Sequence, residues 1–326
     1  MIGPLKRGPR FGNLDGLQIP PEKWIRRVLR WRLNRRSEPI FPDATDAPAA
    51  PWPKATEHIV PRADGTRVTW LGHATTYVEH RGHALITDPI FGPVAFGKPR
   101  LAPAPVALAH IPRLDGVLIS HNHLDHCDLP SIRGLRTRFP AVPIVVPQGL
   151  AGWMEKKVGP PVVELAWWES TTLGPFEVVF TPAQHWSTRV GLDVCQSHWG
   201  GYLMKTPTHG VFFAGDTGLG PHFEAISARF DVDIALLPIG AYAPRWFMRE
   251  QHMNPEDAIA AAETLDAHLI PIHWGTYRLT DEPLDEPPRW AQRAAAEREV
   301  ETTILRPGGS WTPAAVCGKW TCADIA

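Results

Sequence analysis

The sequence predicts a layered α/β fold, and three observations support that class. Short apolar runs of strand length alternate with turn residues from Arg67 onward. Two stretches fit helices: one begins at Asn254, followed by Pro255 and by Asp257 three residues on, and the other covers residues 288–298. The length of 326 residues exceeds a usual single domain, but layered α/β folds often use such a length as one unit.

The predicted strands are rich in Val, Ile, Leu and Phe, the residue types that pack well inside a sheet. Each is bounded by Gly, Pro, Asp or Asn, which favour turns. The predicted strands are residues 67–79, 84–87, 116–120, 143–146, 176–181, 202–205, 211–214, 234–237 and 269–272. Nine such runs indicate a sheet-rich architecture.

Residues 1–50 differ from the rest of the chain because they are rich in proline and strongly basic. Residues 37–54 contain five prolines among Ala and Asp, which is typical of an irregular linker. We therefore expect a basic extension over residues 1–50 and a folded domain over residues 51–326.

Within this extension, residues 21–34 fit a basic amphipathic helix. A helical wheel separates an apolar side from a basic side; the former has Trp24, Ile25, Val28, Leu29 and Trp31, and the latter Arg26, Arg27 and Arg30. Two interpretations remain open. The helix docks on an anionic membrane surface through residues 21–36, or it packs on its own domain with its arginines in solvent.

Charge and composition exclude some classes of protein. The chain has 33 basic and 34 acidic side chains and a pI near 7.0, so no overall field attracts nucleic acid, and we expect no nucleic-acid partner. No secretion signal and no run of roughly 20 apolar residues is visible. We expect a cytoplasmic protein that, on the membrane interpretation of its basic helix, contacts the inner face of a membrane peripherally. The sequence does not predict an oligomeric state.

The densest cluster of chemically active side chains follows the predicted strand at 116–120. Four candidate ligands lie within six residues there: His121, His123, Asp125 and His126. Imidazole suits zinc and similar ions, and carboxylates complete such sites. A surface loop that is rich in histidine by chance is the alternative, but this HxHxDH spacing at a strand end favours a loop wrapped around cations.

Three later predicted strands also end in candidate ligands, namely His185, Asp216 and His273. Taken singly, His185 could be an ordinary core histidine, and Asp216 could be a turn residue. Rigid scaffolds place functional groups in loops at strand ends, where residues distant in sequence can approach one ion. The joint pattern therefore predicts one site at one edge of the sheets.

The ligand order HxHxDH, His, Asp, His resembles the metallo-β-lactamase superfamily, and the resemblance implies a four-layer αββα sandwich. Further strings resemble the N-acyl-phosphatidylethanolamine-hydrolysing phospholipase D family over roughly residues 50–310. They include WLGHAT at 70–75, TDPIF at 87–91, FAGDTG at 213–218, PRWFM at 244–248 and HWGT at 273–276. On this resemblance, residues 51–326 form a hydrolase domain of the metallo-β-lactamase fold.

The resemblance also implies roles for individual residues. Two divalent metal ions, zinc by preference, would share a bridging hydroxide that attacks the substrate. One ion would be held by His121, His123 and His185, the other by Asp125, His126 and His273, and both by Asp216. Asp88 would hydrogen-bond to metal-binding histidines. Asp125, Asp216 and His252 are the expected catalytic residues; His252 would contact phosphate or protonate the leaving oxygen, with a purely structural role before a helix as the alternative.

The function expected from this resemblance is a binuclear metal-dependent phosphodiesterase of phospholipase D type, acting on N-acyl-phosphatidylethanolamine-like glycerophospholipids. An alternative keeps the same fold and metals but hydrolyses another ester, a lactone or a cyclic phosphate. A non-enzymatic scaffold is the hypothesis from another class, and the complete ligand set argues against it. Residues 191–201 match the family only loosely and could reshape the substrate entrance.

Overall fold

The structure is a computed structural model that describes residues 6–7, 10–17, 21–34, 59, 64–94, 97–189 and 191–313. The linker predicted at residues 37–54 lies outside the described residues.

Two mixed sheets form the centre of the molecule. The first has seven strands in the order β15-β3-β4-β5-β6-β7-β8. Their bounds are Thr66–Gly72 (β3), Thr75–His80 (β4), His83–Thr87 (β5), Gly116–Leu118 (β6), Ile144–Pro147 (β7), Val162–Leu165 (β8) and Ser310–Trp311 (β15). Strands β5 to β8 run parallel, whereas β15, β3, β4 and β5 are paired antiparallel.

The second sheet has six strands in the order β14-β13-β12-β11-β10-β9. Their bounds are Ser170–Leu173 (β9), Phe176–Thr181 (β10), Gly201–Lys205 (β11), Gly210–Phe213 (β12), Ile234–Pro238 (β13) and His268–Ile272 (β14). Strands β12, β13 and β14 are parallel and the others antiparallel. A separate two-stranded pair joins Lys6–Arg7 (β1) and Arg10–Phe11 (β2).

Helices cover the outer faces of both sheets. The α-helices are Pro21–Asn34 (α1), Leu129–Arg138 (α2), Ala151–Val158 (α3), His222–Ser227 (α4), Arg245–Met248 (α5), Pro255–Leu265 (α6) and Glu286–Glu297 (α7), with a 3-10 turn at Leu108–His110. One apolar cluster joins the facing sides of the sheets and continues under α6 and α7, and a second lies between the first sheet and α2 and α3. The predicted αββα layering is confirmed.

The two predicted helices in the folded domain are also confirmed. Helix α6 begins as expected: the Asn254 side chain accepts a hydrogen bond from the Asp257 amide, and the Asp257 side chain accepts one from the Asn254 amide. Helix α7 begins two residues before the predicted start at residue 288.

The run predicted as one strand over residues 67–79 is wrong, because it forms the hairpin of β3 and β4. The chain reverses at His73 and Ala74, preceded by Gly72 with a φ of +100°. A side chain on Gly72 would also meet the Arg100 guanidinium at 2.7 Å. Since the neighbouring Thr and Ala residues look like strand residues, only this glycine marks the turn locally.

Helix α1 has the predicted bounds, but its predicted faces are partly wrong. Arg27, expected in solvent, lies 2.5 Å from Glu250, and Trp31 stacks on Phe247 at 5.9 Å between ring centres. Leu29, expected on the packed side, is 52% exposed. The helix therefore packs on its own domain and still exposes apolar side chains. Among the described residues, no helix has the length and apolarity to cross a membrane.

Candidate metal centre

The predicted ligands come together where strands of both sheets end. The carboxyl ends of β5 and β6 lead to Asp88 and to the loop 119–126. In the second sheet, β10 leads to His185, β12 to Asp216 and β14 to His273. Residues far apart in sequence therefore meet because their strands end at one side of the sandwich.

The ligand atoms form two groups, and within each group they lie within 4.8 Å of one another. We define cluster one as His121, His123, His185 and Asp216, and cluster two as His73, Asp125, His126 and His273. All seven predicted ligands belong to these clusters, together with His73.

In cluster one, three ring nitrogens converge. Nδ1 of His123 lies 2.8 Å from Nε2 of His121 and 3.3 Å from Nε2 of His185. The opposite nitrogens of two of these rings are engaged elsewhere: Nδ1 of His121 contacts Ser120 Oγ at 2.9 Å, and Nδ1 of His185 donates to the Gln251 carbonyl at 3.0 Å. These contacts turn the Nε2 lone pairs of His121 and His185 toward the cluster.

Cluster two is joined to Asp216. Nε2 of His273 lies 3.0 Å from Asp216 Oδ1, and Nε2 of His126 lies 3.1 Å from Asp216 Oδ2. The same Oδ2 is 3.8 Å from Nε2 of His185 in cluster one. Asp125 Oδ2 lies 3.6 Å from Nε2 of His126. Asp216 therefore contacts both clusters: Oδ2 faces His126 and His185, and Oδ1 faces His273.

The charges and donor types fit divalent cations. Burial lowers the pKa of His121, His185 and His273 well below the ordinary value, so these rings are neutral, as metal binding requires. Burial acts to raise the pKa of Asp216, but the surrounding histidines, His126 foremost, outweigh it and hold that pKa well below its usual range. Burial acts to lower the pKa of His126 as well, but Asp216 and Asp125 outweigh it and hold that pKa well above the ordinary value, so this ring carries the positive charge that the carboxylates face. A bound cation would replace that proton. The donor set is the one that zinc and similar ions prefer.

Asp88 holds the orientation of the histidine-rich loop. Its carboxylate is fully buried and accepts hydrogen bonds from the Ser120 amide at 2.7 Å, from Ser120 Oγ at 2.5 Å and from His126 Nδ1 at 2.7 Å. The last bond fixes the proton of His126 on Nδ1, so that Nε2 faces Asp216. Asp88 thus lies where sequence reasoning expected a carboxylate next to ligand histidines.

His252 faces the clusters from the segment before α6. It is buried, its ring centre is 5.2 Å from that of His185, and its Nδ1 lies 3.9 Å from Asp216 Oδ2. That nitrogen has no hydrogen-bond partner among the described residues. Arg245, in α5, donates to the His252 carbonyl at 2.9 Å and pairs with Asp257 at 2.6 Å. The PRWFM string therefore fixes the backbone that carries His252.

Sequence reasoning missed Asn13, which belongs to the predicted extension. Asn13 Oδ1 accepts hydrogen bonds from the backbone amide of His185 and from the Trp199 indole, both at 2.9 Å. Asn13 is buried, and Phe11 beside it stacks on His198 at 4.5 Å. The segment 10–17 thus supports a predicted ligand that is 172 residues away in sequence.

The loosely matching segment 191–201 contacts the histidine-rich loop. Asp193 accepts a hydrogen bond from the Asn122 side chain at 3.0 Å, and Arg189, just before the segment, donates to the carbonyls of Asn122 and Cys127. Leu192, at the tip, is 87% exposed. The segment therefore contacts the histidine-rich loop on one side and exposes an apolar side chain to solvent on the other.

Three further aromatic side chains near the site differ in their surroundings. Trp186 lies against cluster one, with its ring centre 4.7 Å from that of His123. Trp274 is buried against Trp70 and belongs to the core. Tyr242 donates a hydrogen bond to Glu286 and packs edge-on against Trp290, which is a packing role.

The sequence matches one family model and several known proteins. The model of the family described as "Beta-lactamase superfamily domain" matches residues 83–274. An uncharacterized protein of Mycobacterium tuberculosis is 35% identical over 320 residues, covering 94% of this chain and 83% of that protein. The N-acyl-phosphatidylethanolamine-hydrolyzing phospholipase D 1 of Caenorhabditis elegans is 36% identical over 230 residues, covering 65% of each chain.

Among solved structures, Igni18, a metallo hydrolase from Ignicoccus hospitalis, is similar with a TM-score of 0.60. It is 22% identical, and the match covers 76% of this chain and 97% of that chain. At that identity the similarity concerns the fold.

Proposed function

Because the chain belongs to the beta-lactamase superfamily, as a metal-dependent hydrolase, we propose that it is a phosphodiesterase of phospholipase D type that hydrolyses N-acyl-phosphatidylethanolamine-like glycerophospholipids. The observation that carries the proposal is that the Asp216 carboxylate contacts histidines of both ligand clusters, with Oδ2 near His126 and His185 and Oδ1 near His273. The relative from C. elegans supports the substrate class.

Two divalent ions, zinc by preference, fit the two clusters. His121, His123 and His185 would hold one, Asp125, His126 and His273 the other, and Asp216 both. Such a pair supplies Lewis acidity and a nucleophile derived from water at neutral pH. The chain contributes the orientation: Ser120, Gln251 and Asp88 hold the ligand rings with their lone pairs turned inward.

His252 is the side chain we propose to act on the substrate. Its Nδ1, without a hydrogen-bond partner among the described residues, lies 3.9 Å from Asp216 Oδ2, and its ring is near those of His185 and His273. The nitrogen can donate to a phosphate oxygen or give a proton to the leaving alcohol oxygen. The bond from Arg245 to the His252 carbonyl holds this residue in place.

A lipid substrate must reach the site from a membrane surface, and α1 has an exposed face that fits contact with such a surface. Arg26, Leu29, Arg30 and Leu33 share one exposed face of this helix, with Leu33 75% exposed. On an anionic membrane, Leu29 and Leu33 would enter the interface while Arg26 and Arg30 contact lipid phosphates. Arg30 lies over the ring of Trp246, in the same PRWFM string that positions His252. This contact supports access of a membrane lipid to the proposed site.

The test is hydrolysis by the purified full chain, loaded with Zn²⁺, of vesicles containing N-acyl-phosphatidylethanolamine in ¹⁸O-labelled water. We expect phosphatidic acid and N-acylethanolamine, with the label in the phosphatidic acid, because water attacks phosphorus. Asp216→Asn should abolish the products. Asp115→Asn is the matched control, since Asp115 also binds a histidine and a backbone amide, but outside the two clusters.

Metal-loaded protein that cleaves no phosphodiester would overturn the proposal. Turnover of a lactone or another ester in the same preparation, with no cleavage of the phospholipid, would replace it with a different hydrolase on the same fold. Label found in the N-acylethanolamine would refute attack at phosphorus.

A further inference from the structure

His73 occupies a strained position beside cluster two. It lies in the turn between β3 and β4 with a φ of +53°, and it is 1% exposed. A side chain with a Cβ adopts this conformation at a cost, and it persists where the surroundings fix it.

Three hydrogen bonds fix the His73 backbone. Its amide donates to Thr276 Oγ1 at 2.7 Å, and its carbonyl accepts from the His273 amide at 2.9 Å and from the Trp70 indole at 2.8 Å. The turn is thus tied directly to His273, a predicted ligand. Small movements of the turn would therefore also move cluster two.

The His73 side chain is aimed at another predicted ligand. Its Nε2 lies 3.1 Å from Asp125 Oδ2. Its ring packs on that of His273 at 4.1 Å and meets Tyr277 edge-on at 5.2 Å, so the imidazole is held on two sides.

The pattern of contacts favours a hydrogen-bond donor over a further ligand. Among the described acidic side chains, His73 pairs with Asp125, whereas His126 and His273 both pair with the shared Asp216. His73 Nε2 instead lies at hydrogen-bond distance from Asp125 Oδ2, 3.1 Å, so that Nε2–H can donate to the carboxylate.

We propose that His73 is a positioning residue for Asp125, which it holds in the orientation that completes cluster two. This inference depends on the metal-binding part of the proposed function and is independent of the lipid substrate. Outer hydrogen bonds of this kind typically change metal affinity by about 10- to 100-fold.

The test is titration of metal-free full-length protein with Co²⁺, followed by the visible absorption of the bound ion and by chelator competition. We expect His73→Leu to weaken the more weakly bound Co²⁺ by about 10- to 100-fold. His73→Gln keeps a donor that reaches Asp125 and should recover most of that affinity. His80→Leu removes another buried histidine, in β4 of the same hairpin, and should bind Co²⁺ like the wild type.

Circular dichroism of each variant shows that it is folded before metal is added. Wild-type affinity in His73→Leu would overturn the inference, and so would equal losses in His73→Leu and His73→Gln, since the donor would then be irrelevant. If the wild type itself binds no Co²⁺, the proposed metal centre fails instead.

Discussion

Replacement of Asp88 by asparagine perturbs the site without removing a predicted ligand. The Asp88 carboxylate accepts three hydrogen bonds, two from Ser120 and one from His126 Nδ1. Asparagine has the same size, and its Oδ1 can still accept the hydrogen bond from the Ser120 amide. Its NH₂ group then faces His126, where two donors oppose each other. We expect His126 to move its proton to Nε2, the nitrogen that faces Asp216.

The expected loss of metal affinity follows from the hydrogen bond between Asp88 and His126 that is lost. A hydrogen bond to a charged acceptor contributes about 1.5 to 3 kcal/mol. A loss of that size equals roughly 10- to 100-fold in metal affinity, as is typical when an outer partner of a ligand histidine is changed. Competition with a chromophoric Zn²⁺ chelator at fixed pH measures the affinity directly. Asp115→Asn, which alters the partner of His83 on the surface, should leave it unchanged. Wild-type affinity in Asp88→Asn would refute the argument that Asp88 sets the His126 tautomer.

Three further predictions concern the supports of the site. Asn13→Ala leaves the buried amide of His185 unpaired, whereas the Trp199 indole keeps a second acceptor, the Ala183 carbonyl, so the free energy of unfolding in urea should fall by about 1 to 3 kcal/mol. Asn13→Asp should restore most of it, and an unchanged midpoint in the alanine variant would contradict this. Burial lowers the pKa of His198 to about 3, so the unfolded chain binds a proton that the folded chain does not, and stability is lost as the pH falls from about 6.5. Between pH 7 and pH 5, the free energy of unfolding measured in urea should therefore fall by about 2 kcal/mol less in His198→Phe than in the wild type. Equal falls in the two proteins would refute this. Arg27→Glu puts two negative charges opposite each other at a half-exposed contact with Glu250, so the free energy of unfolding should change by no more than about 1 kcal/mol. Limited proteolysis should nevertheless cleave α1 faster than in the wild type. Unaltered cleavage would mean that the ion pair does not hold the helix.

The parts of the fold that could be predicted depend on sequence features close to each element. The HxHxDH loop is dense enough to stand out, and helix α6 shows an N-cap, a proline and an acid in the expected order. The ligands His185, Asp216 and His273 were predictable because each follows a buried strand. Their convergence needed the added assumption that these strands end on one side, which the two sheets satisfy.

The parts that were not predictable depend on contacts distant in sequence. Nothing near Asn13 indicates a bond to the amide of His185, and the turn at His73 is hidden among strand-like residues. Strand β9, with the sequence STTL, lies at a sheet edge and has three polar residues among its four, so its hydrophobic pattern is weak. Helix α1 exposes Leu29 because Arg27 and Trp31 have specific partners on the domain, which a helical wheel cannot represent.

The central claim is that the seven predicted ligands hold two divalent ions bridged by Asp216. Anomalous diffraction from crystals of the purified chain, recorded on either side of the zinc absorption edge after loading with Zn²⁺, tests it most directly. We predict two peaks about 3.5 to 4 Å apart, one in each cluster, with Asp216 between them. A zinc-loaded crystal with no peak at these clusters, or with zinc only at other histidines, would contradict the account.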